Sequence, residues 1–224
     1  MNYTPALRTK QNLNLLITVA GGYMDAYSYL SRGKVFATGQ TGNFVLLAVH
    51  LARADTLMVL NYLTPILLFW LGIFASMHMR HKYFRASQYL WERETLWAEI
   101  LLFLLIGFLP DTVPNVLVNS LISFCAAMQY CCFRSIDSQT AYASIFCTGN
   151  MRSCAEQLYL GLVQKEPAAL KNGLRYLKIL GAFFWGVLLG VVSDLWLYTK
   201  AAWGICVLLT GALLILQWCQ KRYS

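Results

Sequence analysis

Asp25 is the residue of this chain whose position most clearly indicates chemistry. It lies thirteen residues into an apolar run that begins near residue 12, beyond the midpoint of the predicted span and towards its outer end. A carboxylate at membrane depth costs about 3 kcal/mol or more, so such acids usually bind ions, carry protons or face a watery cavity. The alternative is a structural acid that accepts hydrogen bonds from a nearby loop. Asp25 is therefore a candidate for cation binding or proton coupling, with a structural role as the alternative.

A Thr-Gly-Asn tripeptide occurs twice, each time where a polar turn meets a helix. The two copies are Thr41-Gly42-Asn43 and Thr148-Gly149-Asn150. Thr can cap a helix, Gly permits a tight turn, and Asn supplies both donor and acceptor groups. The free N–H groups of a helix start also attract negative charge. The pair predicts a polar site between two helix N-termini; the alternative is that each tripeptide only caps its helix.

Further polar residues near these turns complete the predicted site. Gln40 precedes the first tripeptide, and Gln129 has the place in the second half that Asp25 has in the first. Arg152 and Glu156 are spaced i, i+4 and can pair on one helix face. Arg near a helix N-terminus opposes the dipole, so Arg152 is also expected to face Asp25 or an anionic substrate, unless its face is solvated. Weaker candidates are His50, Glu99 and Asp194. Glu99 and Asp194 lie near the ends of their predicted spans, so a position at the membrane interface explains their charge.

The composition places these residues in a membrane. Of the 224 residues, 58% are hydrophobic and only 12% are charged, whereas soluble domains average about 25% charged residues. The apolar residues form continuous runs, which predict an all-α, polytopic membrane protein. The net charge of +8 then reflects basic cytoplasmic loops. No basic stretch interleaved with aromatic residues predicts a nucleic-acid groove.

Six segments qualify or nearly qualify as spans, each of which needs about 20 apolar residues. They are residues 12–31, 57–78, 95–110, 113–133, 174–197 and 201–219. Trp91 and Trp97 are expected to extend the short third span, and Pro65 should kink the second. Gly186 and Gly190 give the fifth span a small-residue face suited to close helix packing. That face could also join two copies of the chain into a homodimer.

The basic residues decide whether the two short helices, about 41–54 and 148–163, also cross the membrane. If all eight helices cross, nine Lys and Arg residues lie on each side. If the short helices are re-entrant, within 35–54 and 144–163, fourteen lie inside and four outside. The positive-inside rule favours the second topology, with both termini cytoplasmic. Residues 41–54 also cover only about 21 Å as a helix, against a hydrocarbon core of about 30 Å.

The six-span topology makes the chain an inverted repeat. Residues 1–110 and 111–224 each contain three spans and one re-entrant helix in the same order. Because three is odd, the second repeat is upside down relative to the first. Such repeats recur in transporters and channels, with the substrate site where the repeats meet. The sequence predicts a transporter or channel for a small solute or ion; the alternative is a non-transporting membrane scaffold or sensor.

No enzyme, metal or cofactor site is predicted. The chain has no G-x-S-x-G, H-E-x-x-H or Walker motif, and Asp25 has no second intramembrane aspartate with which to form a dyad. The seven cysteines form no Cys-x-x-Cys pair, so they are interpreted as small core residues. The expected partners are the lipid bilayer and a small-molecule or ion substrate.

The motifs, in this order, resemble the YoaK-like family of bacterial multi-pass membrane proteins, a domain of unknown function. The stretches "GGYMDAYSYLSRGKVFATGQTGN" and "MQYCCFR…CTGNMRSCAEQLY" carry the resemblance, which covers nearly the whole chain. The family elements map onto Asp25-Ala26, Thr41-Gly42-Asn43, Met128-Gln129, Thr148-Gly149-Asn150 and Arg152. Tyr130 departs from the small or polar residue common after Met-Gln. The resemblance implies a bacterial inner (plasma) membrane location and no established substrate.

Overall fold

The computed structural model describes residues 5–133, 135–137, 140–141 and 147–223. Its α-helices are α1 (Pro5–Ser31), α2 (Gln40–Ala52), α3 (Thr56–Lys82), α4 (Gln88–Phe108), α5 (Asn115–Cys132), α6 (Cys147–Leu162), α7 (Pro167–Leu197) and α8 (Ala202–Tyr223). A turn of 3₁₀ helix at Tyr198–Ala201 joins α7 to α8. Each predicted span and each short helix has its counterpart in this series. Residues 144–146 of the predicted second re-entrant segment lie outside the described residues.

Several helices are longer than the hydropathy of the sequence predicts, among them α3 and α4. α4 begins at Gln88 rather than at residue 95, and the Ser87 hydroxyl caps it by accepting a first-turn backbone hydrogen bond of 3.2 Å. α3 continues without interruption through Pro65 to Lys82. Charged and polar residues lower the local hydropathy at these ends, although they do not end the helices.

One short hairpin departs from the all-α prediction. The strands β1 (Ser135–Asp137) and β2 (Thr140–Ala141) pair antiparallel after the end of α5. The rest of the regular structure in the described chain is helical.

α1 is the central helix of the bundle. Every residue from Ala20 to Ser28 is buried, and the helix packs along α7 and α8. The main apolar core combines α1 with α4, α5 and α8, and includes the buried side chains of Met24, Phe103 and Ile122. The polar residues of α1 therefore face protein.

The glycine face of α7 packs against α1 of the same chain. A Cβ atom on Gly186 would overlap the Val19 carbonyl group, and one on Gly190 would lie 2.7 Å from the Ala26 Cβ atom. The prediction of close helix packing is confirmed. The prediction of a homodimer through this face is wrong, because the face is already buried within one chain.

Large apolar side chains cover the outer faces of α3 and α7. Phe74 of α3 is 70% exposed, and Trp185 and Trp196 of α7 are 63% and 83% exposed. Soluble monomers rarely expose apolar patches of this extent. The surface is therefore suited to contact with lipid tails.

Three helical stretches of the described chain are long and apolar enough to cross a membrane. They are Thr56–Lys82, Asn115–Cys132 and the 56-residue stretch Pro167–Arg222, which contains α7, the 3₁₀ turn and α8. α1 and α4 are not among them. Both carry buried polar residues, including Asn14 and Glu92, which protein rather than lipid surrounds.

At one end of the bundle, here called the Arg32 end, the C-terminus of α1 meets α5 and the α7–α8 turn. The Asn119 side chain of α5 donates a 2.6 Å hydrogen bond to the Arg32 carbonyl oxygen. The Tyr27 hydroxyl of α1 donates one of 3.0 Å to the Thr199 carbonyl oxygen. The C-termini of α1 and α7 therefore lie at the same end as the N-terminus of α8.

At the opposite end, here called the Gln88 end, the start of α4 meets the end of α5. The Gln88 amide donates a 3.1 Å hydrogen bond to the Cys132 carbonyl oxygen. Glu92, one turn further along α4, interacts electrostatically with Lys10 of α1 and Arg80 of α3. The N-terminal part of α1 and the end of α3 are thus at the Gln88 end, so successive long helices run in opposite directions.

Candidate functional site

Asp25 lies beside the start of α2 and accepts hydrogen bonds from its loop. Its Oδ1 atom accepts from the backbone N–H of Thr38 at 3.0 Å, and the Gly39 N–H also bonds to the carboxylate. Gly39 is the N-cap of α2, where no side chain supplies a capping bond. The carboxylate therefore occupies the positive end of the α2 dipole, in a residue that is only 9% exposed.

Residues 33–39 fold back from the Arg32 end, and α5 holds this loop in place. The Ser123 hydroxyl donates a 2.8 Å hydrogen bond to the Ala37 carbonyl oxygen. The Gln40 amide donates to the same oxygen at 3.0 Å and to the Ser123 hydroxyl at 3.5 Å. Gln40 therefore helps to close the loop, and α2 starts from inside the bundle.

Asn43 closes the same turn and is completely buried. Its Oδ1 atom accepts from the Phe36 N–H at 3.2 Å, while Nδ2 donates to the Phe36 carbonyl oxygen at 2.7 Å. Nδ2 also donates to the Gln40 Oε1 atom at 2.9 Å. Both amide hydrogens are therefore used inside the loop. A Cβ atom on Gly42 would lie 3.0 Å from the Phe36 ring, so its small size lets the ring pack there.

Neither threonine of the tripeptides occupies a cap position. Thr41 is the second residue of α2, after Gln40, and Thr148 is the second residue of α6, after Cys147. Both side chains are exposed. The prediction that these threonines cap their helices is therefore wrong for Thr41, because Gly39 has that position. It is also wrong for Thr148, because α6 begins one residue earlier, at Cys147.

The N-terminus of α6 approaches Asp25 from the second half of the chain. Cys147 lies within electrostatic reach of the Asp25 carboxylate. Gly149 is exposed, with open space around its Cβ position, whereas Asn150 is buried. The Cys154 thiol donates a 3.4 Å hydrogen bond to the Gly173 carbonyl oxygen and fixes α6 along α7. The start of α2 thus bonds to this carboxylate, and the start of α6 lies within its electrostatic reach.

Arg152 and Glu156 form a local ion pair away from this carboxylate. The Nε atom of Arg152 donates to the Glu156 Oε1 atom at 2.7 Å, and the two side chains are 81% and 55% exposed. The predicted i, i+4 pair is present. The expectation that Arg152 faces Asp25 is wrong, because its guanidinium group points along an exposed face of α6.

Gln129 bonds to Glu99, for which the sequence predicts an interfacial position. Its Nε2 atom donates a 3.2 Å hydrogen bond to the Oε2 atom of Glu99, and Gln129 and Glu99 are 0% and 1% exposed. The interfacial interpretation of Glu99 is therefore wrong. The sequence does contain a pattern that indicates a buried polar face here. Glu92, Thr95 and Glu99 follow i, i+3, i+7 spacing and therefore share one face of the helix.

Arg32 follows the last residue of α1 and is a buried cation, although it is one of the four basic residues that the six-span topology places outside. It is fully buried, its Nε atom donates a 2.9 Å hydrogen bond to the Tyr27 hydroxyl oxygen, and its guanidinium group lies 5.7 Å from the Tyr27 ring centroid. His50 and Asp194, the other weak candidates, bond to residues near the Arg32 end. His50 contacts Asp55 at 3.2 Å, and Asp194 accepts from Ser31.

A surface groove of about 630 Å³ lies between the N-terminal halves of α1 and α7. Polar and basic side chains line it, including Asn14, Lys171 and Arg175, and its lining does not include Asp25. Within the residues that the structure describes, no three His, Cys, Asp or Glu side chains come together as metal ligands.

The chain is similar to known proteins over nearly its whole length. The family described as "Protein of unknown function (DUF1275)" matches residues 13–216. The UPF0700 transmembrane protein YoaK of Bacillus subtilis (strain 168) is 25% identical over 214 residues, which cover 92% of this chain and 93% of that protein. No solved structure matches. The resemblance to YoaK is thus confirmed, and the chain belongs to the DUF1275 family of bacterial membrane proteins.

Proposed function

We propose that this protein is a transporter or channel for a small solute or ion in the bacterial inner membrane. Six long helices cross the bilayer, and α2 and α6 are re-entrant helices that start within it. Residues 1–110 and 111–224 form two inverted repeats, with both termini in the cytoplasm. The polar site lies around Asp25, where the two re-entrant helices begin. The proposal includes no catalytic step and no cofactor.

The positions of the helix ends support six spans. The Gln88 end combines the N-terminal part of α1, the end of α3, the start of α4 and the end of α5. The Arg32 end combines the end of α1 with the turn between α7 and α8. This alternation is what six successive spans require. The positive-inside rule then assigns the Gln88 end to the cytoplasm.

The depth of the loop before α2 supports a re-entrant helix. Asp25 lies six residues before the end of α1, and Ser123 lies eight residues after the start of α5. At 1.5 Å per residue, the loop atoms that bond to them are roughly 9–12 Å inside the Arg32 end. α2 then runs back towards Asp55, which caps α3 by accepting a 3.3 Å bond from the Met58 N–H. The segment enters and leaves at the same end.

The packing of the helices supports the inverted repeat. In an inverted repeat, α1, α2, α3 and α4 correspond in order to α5, α6, α7 and α8. The contact between α1 and α7 then corresponds to the contact between α5 and α3. In the same way, the contact between α2 and α3 corresponds to the contact between α6 and α7. All four contacts are present, as are those of α8 with α1 and α4 with α5. The glycine contacts follow the same rule: a Cβ atom on Gly72 would overlap the Phe124 carbonyl group, as one on Gly186 would overlap that of Val19.

The observation that carries the proposal is the buried carboxylate of Asp25 at the start of α2, with the start of α6 within its electrostatic reach. Irregular backbone at membrane depth is tolerated where it is enclosed by protein or lines a cavity. Half-helix N-termini at the interface of inverted repeats form the substrate and ion sites of many transporters. Here one such N-terminus bonds directly to Asp25 and the other lies within its electrostatic reach.

Flux through purified protein in proteoliposomes tests the proposal. Solid-supported-membrane currents are recorded on jumps of Na⁺, K⁺, H⁺, amino acids and small carboxylates. At least one solute should give a current above that of empty liposomes, and Asp25→Asn should reduce it about tenfold or more while the protein stays folded. Glu94→Gln, a half-exposed acid of α4, is the matched control and should keep the current. Equal currents for the native chain and Asp25→Asn would remove Asp25 from the mechanism.

A non-transporting scaffold or sensor is the second candidate, and one observation favours it. Both amide hydrogens of Asn43 and the amide of Gln40 are used within the loop, as expected if the turn is purely structural. For this function, all the solutes should give the current of empty liposomes. Asp25→Asn should then change only the thermal stability of the protein.

A further inference from the structure

A row of buried polar side chains runs along the face of α4 that meets α5. Glu92, Thr95 and Glu99 are 6%, 1% and 1% exposed. Their i, i+3, i+7 spacing places them in line on one helix face, over roughly 10 Å. Such a row is costly among apolar helices unless its groups are neutral or paired.

The innermost member of this row, Glu99, has a half-completed hydrogen-bond pattern with Gln129. The Gln129 Nε2 atom donates to the Glu99 Oε2 atom at 3.2 Å. Among the described atoms, the two remaining oxygens, Oε1 of Glu99 and Oε1 of Gln129, are both buried and have no hydrogen-bond partner. Both oxygens are acceptors, so neither can satisfy the other while Glu99 is ionised. One proton on Glu99 supplies the donor that is missing.

We propose that Glu99 is a proton-binding site, held as a carboxylic acid in a two-point pair with Gln129. In this pair the acid O–H donates to the Gln129 carbonyl oxygen, while the Gln129 N–H donates to the acid carbonyl oxygen. Every buried polar atom of the two groups then has a partner, and no charge is buried. The inference does not depend on transport or on Asp25.

The surroundings of Glu99 favour a proton over a metal ion. Gln129 directs an N–H group at the carboxylate, whereas a hard cation would require several oxygen ligands. The titratable groups that interact with Glu99 are the Cys125 and Cys132 thiols of α5. On the α8 side, the Cys206 thiol donates to the Ile100 carbonyl oxygen at 3.5 Å. In the part of the chain that the structure describes, no cation contributes to the electrostatics of Glu99.

The same row connects Glu99 to the Gln88 end of the bundle. The Gln88 amide bonds to the Glu92 Oε1 atom at 2.9 Å, and Lys10 and Arg80 act on Glu92 from α1 and α3. Thr95 lies between Glu92 and Glu99 along the helix. The row therefore runs from the Gln88 end of the bundle inwards to Glu99.

Infrared spectroscopy of the purified full-length protein in lipid tests the proposal directly. At neutral pH the native chain should show the C=O stretching band of a protonated carboxyl group, and Glu99→Gln should lose it. Asp25→Asn and Glu92→Gln are the matched controls that assign the band to Glu99. If Glu99→Gln instead loses an ionised-carboxylate band and leaves the protonated band unchanged, the proposal is overturned.

A second variant tests the pair in a chain that keeps Glu99. Gln129→Leu removes the hydrogen-bond partner, so the protonated band should persist and move to higher frequency. An unchanged frequency would overturn the two-point pair. Glu99→Gln can form the same two bonds through its own amide, so its melting temperature should match that of the native chain. A large loss of thermal stability in Glu99→Gln would indicate that an ionised carboxylate is required there, against the proposal.

Discussion

Asn43 and Asp25 illustrate how a residue pattern indicates a position without specifying the contact made there. The sequence identifies both as unusual polar residues in apolar surroundings. In the structure, Asp25 accepts a hydrogen bond from the backbone of the loop, and Asn43 forms hydrogen bonds with Phe36 and Gln40. These partners depend on how residues 33–39 fold back along α1, which no local spacing encodes.

Asn43 should be a stability determinant. Asn43→Ala leaves the partly buried N–H and carbonyl groups of Phe36 without their side-chain partner, which should destabilise the protein by about 1–3 kcal/mol. Thr41→Ala, two residues earlier on an exposed position, should change stability by no more than about 0.5 kcal/mol. Fluorescence-detected thermal unfolding in detergent measures both. Equal melting temperatures for the two variants would show that the loop does not depend on the Asn43 bonds.

Long-range partners account for the errors at the residue scale. The i, i+4 spacing of Arg152 and Glu156 correctly predicts their pairing because both residues are on one helix. The sequence does not predict the buried position of Glu99, because its partner, Gln129, is 30 residues away and on another helix. Arg32 is buried beside Tyr27, whose hydroxyl group accepts from Arg32 and donates to the α7–α8 turn.

At the scale of elements, hydropathy locates the helices better than it locates their ends. α4 starts earlier than predicted because Ser87 caps it and its first turns carry charged residues in protein surroundings. The glycines of α7 predict close packing, but a small-residue face does not specify whether the neighbour is the same chain or another. Here it is α1 of the same chain.

Alanine substitutions in α7 and α3 should distinguish glycines that pack closely against another helix from glycines with open space around them. Gly186→Ala should destabilise the protein because the added methyl group would overlap the Val19 backbone. Gly181→Ala has open space around its Cβ position and should be neutral or stabilise the helix by up to about 1 kcal/mol. Gly72→Ala in α3 should behave like Gly186→Ala. Thermal unfolding measures all three, and a stabilised Gly186→Ala would contradict the close contact between α1 and α7.

At the scale of the whole molecule, the charge count and the packing of the helices independently support the proposed architecture. The count uses only Lys and Arg, and it favours six spans with fourteen basic residues inside. The packing argument uses only the contacts between helices. Each contact between two helices has an equivalent contact when α1–α4 are exchanged with α5–α8. Neither determines the solute, because the residues that would contact it depend on how the two re-entrant helices meet.

Labelling of single cysteines from either side of the membrane is the most direct test of this architecture. In a chain whose seven native cysteines are replaced, Lys200→Cys and Gln164→Cys report the outside and the inside in both the six-span and the eight-span topology. Arg53→Cys and Arg85→Cys distinguish the two, and all four positions are exposed. We expect an impermeant thiol reagent to label Arg53→Cys in intact cells and Arg85→Cys only after permeabilisation. Labelling of Arg85→Cys from outside, or of both positions from the same side, would contradict the six-span inverted repeat.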